Sequence, residues 1–565
     1  MTAELDRLAD EYWDASLAAD PVQGTAIGDH RYGDRLSDNS IEGRAAAAAR
    51  FEAIRAALAG LPSEADPEAA LTRAVLDQAI DDRLAFLAAD ALAHTVDAMN
   101  GPQSSLLNIP SLQPLRDPAD GEAMLSRWWA MGPWVDQQVA QLRRGLAEGR
   151  APVAGSVRRV IAQLDELLAR QLDDWPLLEP LERDHAGWSD GAWRAFEVGL
   201  AGAVRDGLRP AFARYRHFLA DEALPRARDE AQVGICHLPG GVEAYLRLAR
   251  AHTTTERTPQ EIHEIGLAEI ARIDVEISEL GGRVLGTGDL AGTLAALRGN
   301  PSVHFQTAKE IVAVAEASLA RANAAIPAWF GRLPQAACVV ARMLAHEEQH
   351  STIAYYREAP ADRSRPGRYY INTSAPTTRP RYEAEALAFH ESVPGHHLQV
   401  AIAQELEQLP AFRREAETTA FVEGWALYTE RLADEMGLYS GDLDRIGMLS
   451  YDAWRASRLV VDTGMHALAW SRSAAIEFMA AHTALAANNI ANEVDRYIGW
   501  PGQALAYKIG QLEIRALRRE AEAAQGPAFD VRSFHDAVLG HGALPLGVLR
   551  ESVVADLGLG AGSAP

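Results

Sequence analysis

Residues 385–431 read EALAFHESVPGHHLQVAIAQELEQLPAFRREAETTAFVEGWALYTER, and the interpretation of the whole chain starts from them. Six side chains in this stretch could bind or serve a metal ion: His390, Glu391, His396, His397, Glu423 and Glu430. Two imidazoles, one carboxylate and an open fourth position for water form the ligand set of a catalytic zinc. The stretch therefore predicts a Zn²⁺ site built on two neighbouring helices.

The spacing of the histidines differs from the usual H-E-x-x-H motif, in which both imidazoles face one point from successive helical turns. On an unbroken helix, His396 would point to a different side from His390. His397 would return to the same side, but about 10.5 Å farther along the axis. Zinc–nitrogen bonds are only about 2.0–2.1 Å long, so neither pair could share an ion without a change in the backbone.

Pro394 and Gly395 predict that change. Proline lacks an N–H and clashes with the carbonyl four residues back, whereas glycine accepts backbone angles that other residues resist. A helix broken at this step would bring His396 or His397 back beside His390, and the spacing leaves both alternatives open. Glu391 would then face the metal-bound water as a general base.

Four segments carry a resemblance to a known family: HESVPGHHLQ (390–399), FVEGWALYTERL (421–432), VVDTGMHALAWS (460–471) and RYIGWPGQALAYKIG (496–510). Over these segments the chain resembles the bacterial "domain of unknown function 885" family. That family is similar to gluzincin-type zinc peptidases, which include the angiotensin-converting-enzyme, neurolysin and thermostable carboxypeptidase groups. The resemblance covers the chain from residue 230 to residue 550 well and the N-terminal part loosely.

The gluzincin peptidases carry H-E-x-G-H on their zinc helix, so their Gly-His pair matches Gly395–His396 here, with a two-residue insertion. The resemblance implies His390, His396 and Glu423 as zinc ligands. It also implies a mainly α-helical, zincin-like fold with a small antiparallel β-sheet beside a deep cleft. Glu430 remains an alternative carboxylate ligand, or a hydrogen-bond partner for an imidazole N–H. Glu417 is a weaker substitute.

Further candidate residues lie C-terminal to the zinc motif. Arg458, Asp462 and His466 are spaced four apart on a mostly apolar helix, so an aspartate-bound, protonated His466 could stabilise an oxyanion. Gln503 and Tyr507 lie one helical turn apart, and the resemblance implies that the Tyr507 phenol binds the substrate carbonyl oxygen.

Three basic residues are candidates for binding a substrate carboxylate, namely Arg458, Arg496 and Lys508. Such a contact would favour a carboxypeptidase or a dipeptidase. Residues 368–376, RYYINTSAP, predict a β-strand. In the similar peptidases a strand at this place pairs with an extended substrate, which makes Tyr370 a substrate-binding candidate; an ordinary edge strand is the alternative.

A second motif, His346-Glu347-Glu348-Gln349-His350, matches H-E-x-x-H letter for letter. Its Glu-Gln filler is typical of a solvated helix face rather than a buried zinc helix. The sequence that follows it has no glutamate-bearing helix comparable to EGWALYTE at a similar interval. We therefore favour the site at His390.

Length, charge and composition limit the lobes, the partners and the location that we expect for this protein. A chain of 565 residues predicts two or more lobes, here a helical lobe over residues 1–230 and a metal-binding lobe over 231–565. The net charge of −24 argues against nucleic acid and anionic membranes as partners. Two cysteines cannot form a disulfide framework, and the acidic N-terminus has no apolar signal segment, so we expect a cytoplasmic protein. No apolar run approaches the length of a transmembrane helix.

Together these features predict zinc-dependent hydrolysis of peptide bonds in small peptides, by a carboxypeptidase, dipeptidase or oligopeptidase. One alternative is a hydrolase of a non-peptide amide, such as an acylated amino acid. The other is a catalytically inactive helical binding protein, because the two-residue insertion could have spoiled the metal geometry. The sequence leaves the oligomeric state open.

Overall fold

The computed structural model describes residues 3–343, 348, 352–359, 365–416 and 418–559. Helices make up 71% of the chain, which confirms the mainly α-helical prediction. The first thirteen α-helices are α1 Ala3–Ala19, α2 Pro21–Ala26, α3 Ile41–Ala59, α4 Pro67–Ala89, α5 Pro102–Asn108, α6 Pro118–Ala147, α7 Ala154–Ala169, α8 Asp190–Gly202, α9 Arg209–Phe218, α10 Gly241–Thr253, α11 Pro259–Leu285, α12 Leu290–Gly299 and α13 Ala308–Ala325.

The C-terminal half supplies the helices around the predicted site. They are α14 Ala384–Glu391, α15 His396–Gln404, α16 Ala411–Arg414, α17 Thr419–Glu435, α18 Asp442–His466, α19 Arg472–His482, α20 Ala487–Gly499, α21 Ala506–Gln525, α22 Val531–Leu539 and α23 Leu546–Asp556. Two of these helices pack against long neighbours: α18 against α11, and α17 against α21.

Local sequence determines where several helices begin. Helix α11 starts with a capping box, in which the Thr258 hydroxyl accepts a hydrogen bond from the Glu261 N–H, and the Glu261 carboxylate accepts one from the Thr258 N–H at 2.7 Å. Pro259 occupies the first turn, where no intrahelical N–H bond is lost. Neighbouring residues alone thus satisfy some of the four backbone N–H groups that the start of a helix leaves unpaired.

Three strands form one small sheet: β1 Cys338–Arg342, β2 Ala354–Arg357 and β3 Gly367–Ile371. The order is β1-β3-β2, with β1 parallel to β3 and β2 antiparallel to it. The sheet is therefore mixed, not antiparallel as predicted. The predicted strand at 368–376 is present but ends at Ile371, and it is the central strand. Because both of its edges are already paired, β3 cannot add an extended substrate as a further strand.

Apolar packing groups the chain into two large clusters. Residues of α1, α3 and α4 share one core with the C-terminal helices, whereas residues between Val96 and Ala223 form a second core. The division into lobes at residue 230 stays a prediction. The site described below lies in helices of the first core.

One helical segment, Ala308–Ala328, is long and apolar enough to cross a membrane, with a mean hydropathy of 1.2. Its buried residues include Ile311, Ala315 and Leu319, which pack into the core of the protein. Core helices of globular proteins meet the same criterion, so composition alone does not distinguish the two cases.

Candidate metal centre

Three side chains from three helices converge on one point. His390 lies near the end of α14, His396 is the first residue of α15, and Glu423 lies in α17. One ligand atom from each lies within 4.8 Å of the other two. Glu423 Oε2 is 3.6 Å from His390 Nε2 and 3.4 Å from His396 Nε2. The two imidazole planes are nearly perpendicular, at 89°, with ring centroids 4.8 Å apart.

The break between α14 and α15 makes this convergence possible. Helix α14 ends at Glu391 and α15 begins at His396, and the Val393–Pro394 peptide bond between them is cis. Gly395 packs directly against His390, since a Cβ added there would lie 1.9 Å from the His390 carbonyl oxygen. The chain can fold back this closely only with glycine at the position. The indole N–H of Trp425 donates to the Pro394 carbonyl at 3.0 Å and ties the turn to α17.

His397 points away from this centre. Its Nε2–H donates to the Ala336 carbonyl at 3.0 Å, and its Nδ1 lies 3.0 Å from the Tyr356 hydroxyl, which donates to it. Burial lowers the pKa of His397 to about 4, so the ring is neutral. Of the two alternatives that the sequence left open, the structure brings His396 to His390 and anchors His397 against the sheet.

Glu430 binds the His390 imidazole on the side that faces away from Glu423. The Nδ1–H of His390 donates to Glu430 Oε1 at 2.8 Å, which turns Nε2 toward Glu423. Arg455 Nη2 lies 3.4 Å from the same carboxylate oxygen. Burial alone would lower the pKa of His390, but its interactions with Glu423 and Glu430 raise that pKa to about 9 when no cation is present. Glu430 thus orients a candidate ligand rather than joining the cluster.

The donor set fits a zinc ion. Two ligand atoms each about 2.1 Å from a shared tetrahedral ion lie about 3.4 Å apart, close to the two distances measured from Glu423 Oε2. That oxygen is buried and accepts no hydrogen bond of normal geometry. Burial opposes its charge, but His396 and His390 together hold the pKa of Glu423 well below its usual range. A buried, ionised oxygen without a donor is costly, and a cation would satisfy it.

Strands β2 and β3 pack against the two helices that carry His390 and His396. Tyr369 of β3 is buried, and its pKa is raised well above the usual value by burial and then by the nearby charge of Glu391. Tyr370, the predicted substrate contact, lies on the opposite face of the strand, where its ring stacks on Tyr355 at 4.9 Å and its hydroxyl accepts from Arg368. Because side chains alternate along a strand, Tyr369 and not Tyr370 lies on the buried face that Glu391 influences.

Tyr507 lies near Glu423 because α17 and α21 cross closely. Gly424 and Gly510 face each other at the crossing, and a Cβ on Gly424 would lie 2.5 Å from the Gly510 Cα. This contact places Tyr507 near Glu423, whose charge, after burial, raises the pKa of the phenol. The half-buried Tyr507 therefore keeps its proton and remains a hydrogen-bond donor.

Gln503 also lies beside this phenol and forms a side-chain hydrogen bond with it. The carbonyl oxygen of the Gln503 side chain accepts from Arg496 Nη1 at 2.9 Å, so its amide is oriented. The predicted pairing of Gln503 and Tyr507 on one face is present.

Two other predicted residues do not reach the centre. His466 is buried, accepts from the Ile235 N–H at 3.2 Å and donates to the Tyr497 carbonyl at 3.0 Å. Burial lowers its pKa to about 4, and Asp462 bonds Tyr245 instead. A neutral ring with both nitrogens occupied cannot stabilise an oxyanion, so the predicted role of His466 was wrong.

Lys508 lies in a buried ion-pair network. Its Nζ donates to Asp452 at 2.6 Å and contacts Glu269 at 2.9 Å. The side chain is fully buried and its charge is satisfied twice, so Lys508 is not available to a substrate carboxylate, contrary to the prediction.

The competing motif lies largely outside the described residues, which include neither His346 nor His350. Glu348 is described, and its carboxylate accepts hydrogen bonds from the Thr373 N–H and hydroxyl at 2.9 and 2.6 Å. Glu417, the weaker substitute ligand, also lies outside the described residues.

The profile of a family described as "Bacterial protein of unknown function (DUF885)" matches residues 21–553. The chain belongs to the DUF885 family. Among curated proteins, none matches the sequence. The similarity of the family to gluzincin peptidases stays a prediction.

Two solved structures resemble this DUF885 chain. One is described as a "putative lipoprotein" from Colwellia psychrerythraea; it is 26% identical, covers 99% of this chain and 100% of its own, and has a TM-score of 0.91. The other, a "putative lipoprotein of unknown function" from Shewanella oneidensis, is 16% identical, covers 97% and 99%, and has a TM-score of 0.74, which shows a shared fold. A lipoprotein description sits uneasily with the cytoplasmic expectation.

Proposed function

We propose that this DUF885 protein is a zinc-dependent hydrolase of peptide or related amide bonds in small substrates. The observation that supports the proposal best is the convergence of His390 Nε2, His396 Nε2 and Glu423 Oε2 within 4.8 Å. These three residues would hold the ion. Zinc at such a site supplies carbonyl polarisation and lowers the pKa of a bound water.

The chain's own residues supply the remaining functions. Glu391 follows the first ligand and takes the proton of the attacking water as general base. Tyr507, protonated and close to Glu423, donates a hydrogen bond to the carbonyl oxygen as that oxygen gains negative charge. Glu430 fixes the orientation of His390 through Nδ1.

The proposal includes a zincin-like arrangement with a substrate cleft that reaches the metal. Solvent access agrees with this arrangement, because the side chains of His396 and Glu423 keep 13% and 19% of their surface exposed, whereas His390 keeps 4%. A substrate carbonyl would approach from the side of His396 and Glu423.

The test uses the purified full chain, metal analysis and a panel of dipeptides, longer peptides and acylated amino acids. Glu391→Gln should keep one zinc per chain and lose hydrolysis by about 100-fold or more. Glu407→Gln, at an exposed site after α15, is the charge-matched control and should hydrolyse normally. Undiminished hydrolysis by Glu391→Gln, or absence of stoichiometric zinc in the wild type, would end the proposal.

Location is a separate part of the proposal. Similarity over the whole length to the Colwellia protein favours an exported or membrane-associated location over the cytoplasm. Fractionation of cells that produce the native gene, followed by detection in the cytosolic and membrane fractions, tests this directly.

A further inference from the structure

One face of helix α18 carries polar atoms that no group in the described residues satisfies. Tyr451, Arg455 and Arg458 occupy positions i, i+4 and i+7, so their side chains share that face. The hydroxyl of Tyr451, Nε of Arg455 and Nη1 of Arg458 are all buried without a hydrogen-bond partner. This face borders the candidate metal centre, because Arg455 contacts Glu430 and the Arg458 guanidinium lies 4.2 Å from the centre of the Tyr507 ring.

Arg458 is the most informative of the three. It is 4% exposed, and two of its nitrogens are fixed: Nε donates to the Tyr497 hydroxyl at 2.9 Å, and Nη2 donates to Glu493 at 3.1 Å. The rings of Trp454 and Tyr507 stack against the guanidinium at 4.6 and 4.2 Å. Nη1 therefore has a fixed position and no acceptor. A buried charged donor without an acceptor is destabilising, and proteins retain such groups where a ligand satisfies them.

Two guanidinium groups share one carboxylate beside Tyr507. Arg458 and Arg496 both bind Glu493, and Arg496 donates its remaining contact to the neutral Gln503. The nearest carboxylate on the same helix is Asp462, one turn on, which accepts from the Tyr245 hydroxyl and the Gly502 N–H instead. An anionic group that entered beside Tyr507 would give Nη1 of Arg458 an acceptor.

The other basic residues that could bind a substrate carboxylate already pair with groups of the protein. Lys508 contacts two carboxylates, and Arg496 makes two contacts with Glu493 besides the one with Gln503. The guanidinium of Arg455 is directed to Glu430. Among the three residues that the sequence proposed for a carboxylate, Arg458 alone has a buried N–H without an acceptor in the described part of the chain.

We infer that Arg458 binds a free carboxylate of the substrate, next to the amide that is cleaved. This inference rests on the proposed hydrolase function and narrows its substrates to short peptides with a free C-terminus or to N-acylated amino acids. A guanidinium N–H directed at a carboxylate gives a strong, charge-assisted hydrogen bond. A C-terminal amide offers Nη1 of Arg458 only a neutral acceptor, which makes a weaker hydrogen bond.

The test compares two ligands that differ only in this group. A blocked tripeptide acid and its C-terminal amide are titrated calorimetrically into zinc-loaded Glu391→Gln protein, in which turnover is suppressed. We expect the acid to bind at least about tenfold more tightly than the amide. Arg458→Met should abolish this preference, and Arg458→Lys should retain part of it because the charge remains.

Arg472→Gln is the matched control, because it also removes an arginine whose guanidinium donates two hydrogen bonds within the protein, in this case both to Asp495. It should keep the preference for the acid. Equal binding of acid and amide to protein with native Arg458 overturns the inference even if the Arg458 variants fail to fold, and so does a preference that survives in folded Arg458→Met.

Failure of the hydrolase proposal gives a different result. If the protein binds no zinc and cleaves neither peptide, yet prefers the acid through Arg458, the hydrolase proposal is wrong and the carboxylate site stands. If the protein binds zinc and cleaves the acid and the amide equally, the hydrolase proposal stands and the carboxylate site is wrong.

Discussion

Glu430 lies 2.8 Å from His390 Nδ1, on the side of the imidazole opposite the atom that faces Glu423. Glu430 is 1% exposed and comes from the same helix as Glu423, two turns further along. One helix thus carries both the carboxylate that would share an ion with His390 and the carboxylate that orients its ring. An imidazole bound in this way presents Nε2 in a fixed direction and is a stronger metal ligand.

We expect Glu430→Gln to weaken zinc binding by about 10- to 100-fold, because the amide still accepts the Nδ1–H bond but no longer carries the charge that makes His390 more basic. The measurement is competition for zinc with a chelator of known affinity. Glu435→Gln on the same helix, where the carboxylate pairs with Arg518 at the surface, is the control and should not change zinc affinity. Equal zinc affinity in the two variants would contradict an orienting role for Glu430.

The adjacent histidines provide a matched pair of substitutions. His396→Asn should abolish stoichiometric zinc with a smaller loss of stability than His397→Asn, since the His396 side chain keeps 13% of its surface exposed and His397 is 1% exposed. His397→Asn should keep zinc but lose stability by about 1–3 kcal/mol for each buried partner left unsatisfied, the Ala336 carbonyl and the Tyr356 hydroxyl. Metal analysis and denaturant unfolding separate the two effects. The reverse pattern would make His397 the ligand.

Gly395→Ala tests the close turn between α14 and α15. The new methyl group would lie 1.9 Å from the His390 carbonyl oxygen, so the backbone must move and carry both histidines with it. We expect loss of zinc binding and a stability loss of at least about 1–3 kcal/mol. Gly191→Ala in α8 is the control, because a Cβ there meets no atom within 4 Å. Retention of zinc by Gly395→Ala would show that the turn is not required.

Stability should fall as the solution becomes acidic. Burial lowers the pKa of His252 to about 4, whereas a histidine in the unfolded chain titrates near 6.5. Between these values the unfolded state binds a proton that the folded state does not, so the contribution is fully present above pH 6.5 and is lost as the pH falls toward 4. The loss is about 1.4 kcal/mol per pH unit for each such histidine.

His252→Leu isolates this contribution. Both nitrogens of His252 lack a hydrogen-bond partner, and the ring packs against Phe86, so an apolar side chain removes the titration without breaking a bond. Urea unfolding at pH 7.5, 6 and 5 should show a shallower dependence on pH in the variant, by about 1.4 kcal/mol per unit. Equal slopes for the two proteins would contradict the prediction.

Local sequence determined the helices and the set of candidate residues. Apolar residues three and four apart, and the capping box at Thr258, depend only on neighbours within one or two helical turns. The same holds for the break at Pro394 and Gly395, whose backbone properties are intrinsic. The set of possible ligands around His390 followed from residue types within one short stretch.

Tertiary structure alone decided which candidates are available, because the deciding partners are distant in sequence. His466 resembled a catalytic residue until the Ile235 N–H, 231 positions away, was found on its Nδ1. Lys508 resembled a carboxylate-binding residue until Asp452 was found beside it. The choice of His396 over His397 depends on the Ala336 carbonyl, which accepts a hydrogen bond from the His397 ring. A side chain's chemistry is set by its residue type, but its availability is set by which groups from other elements satisfy it first.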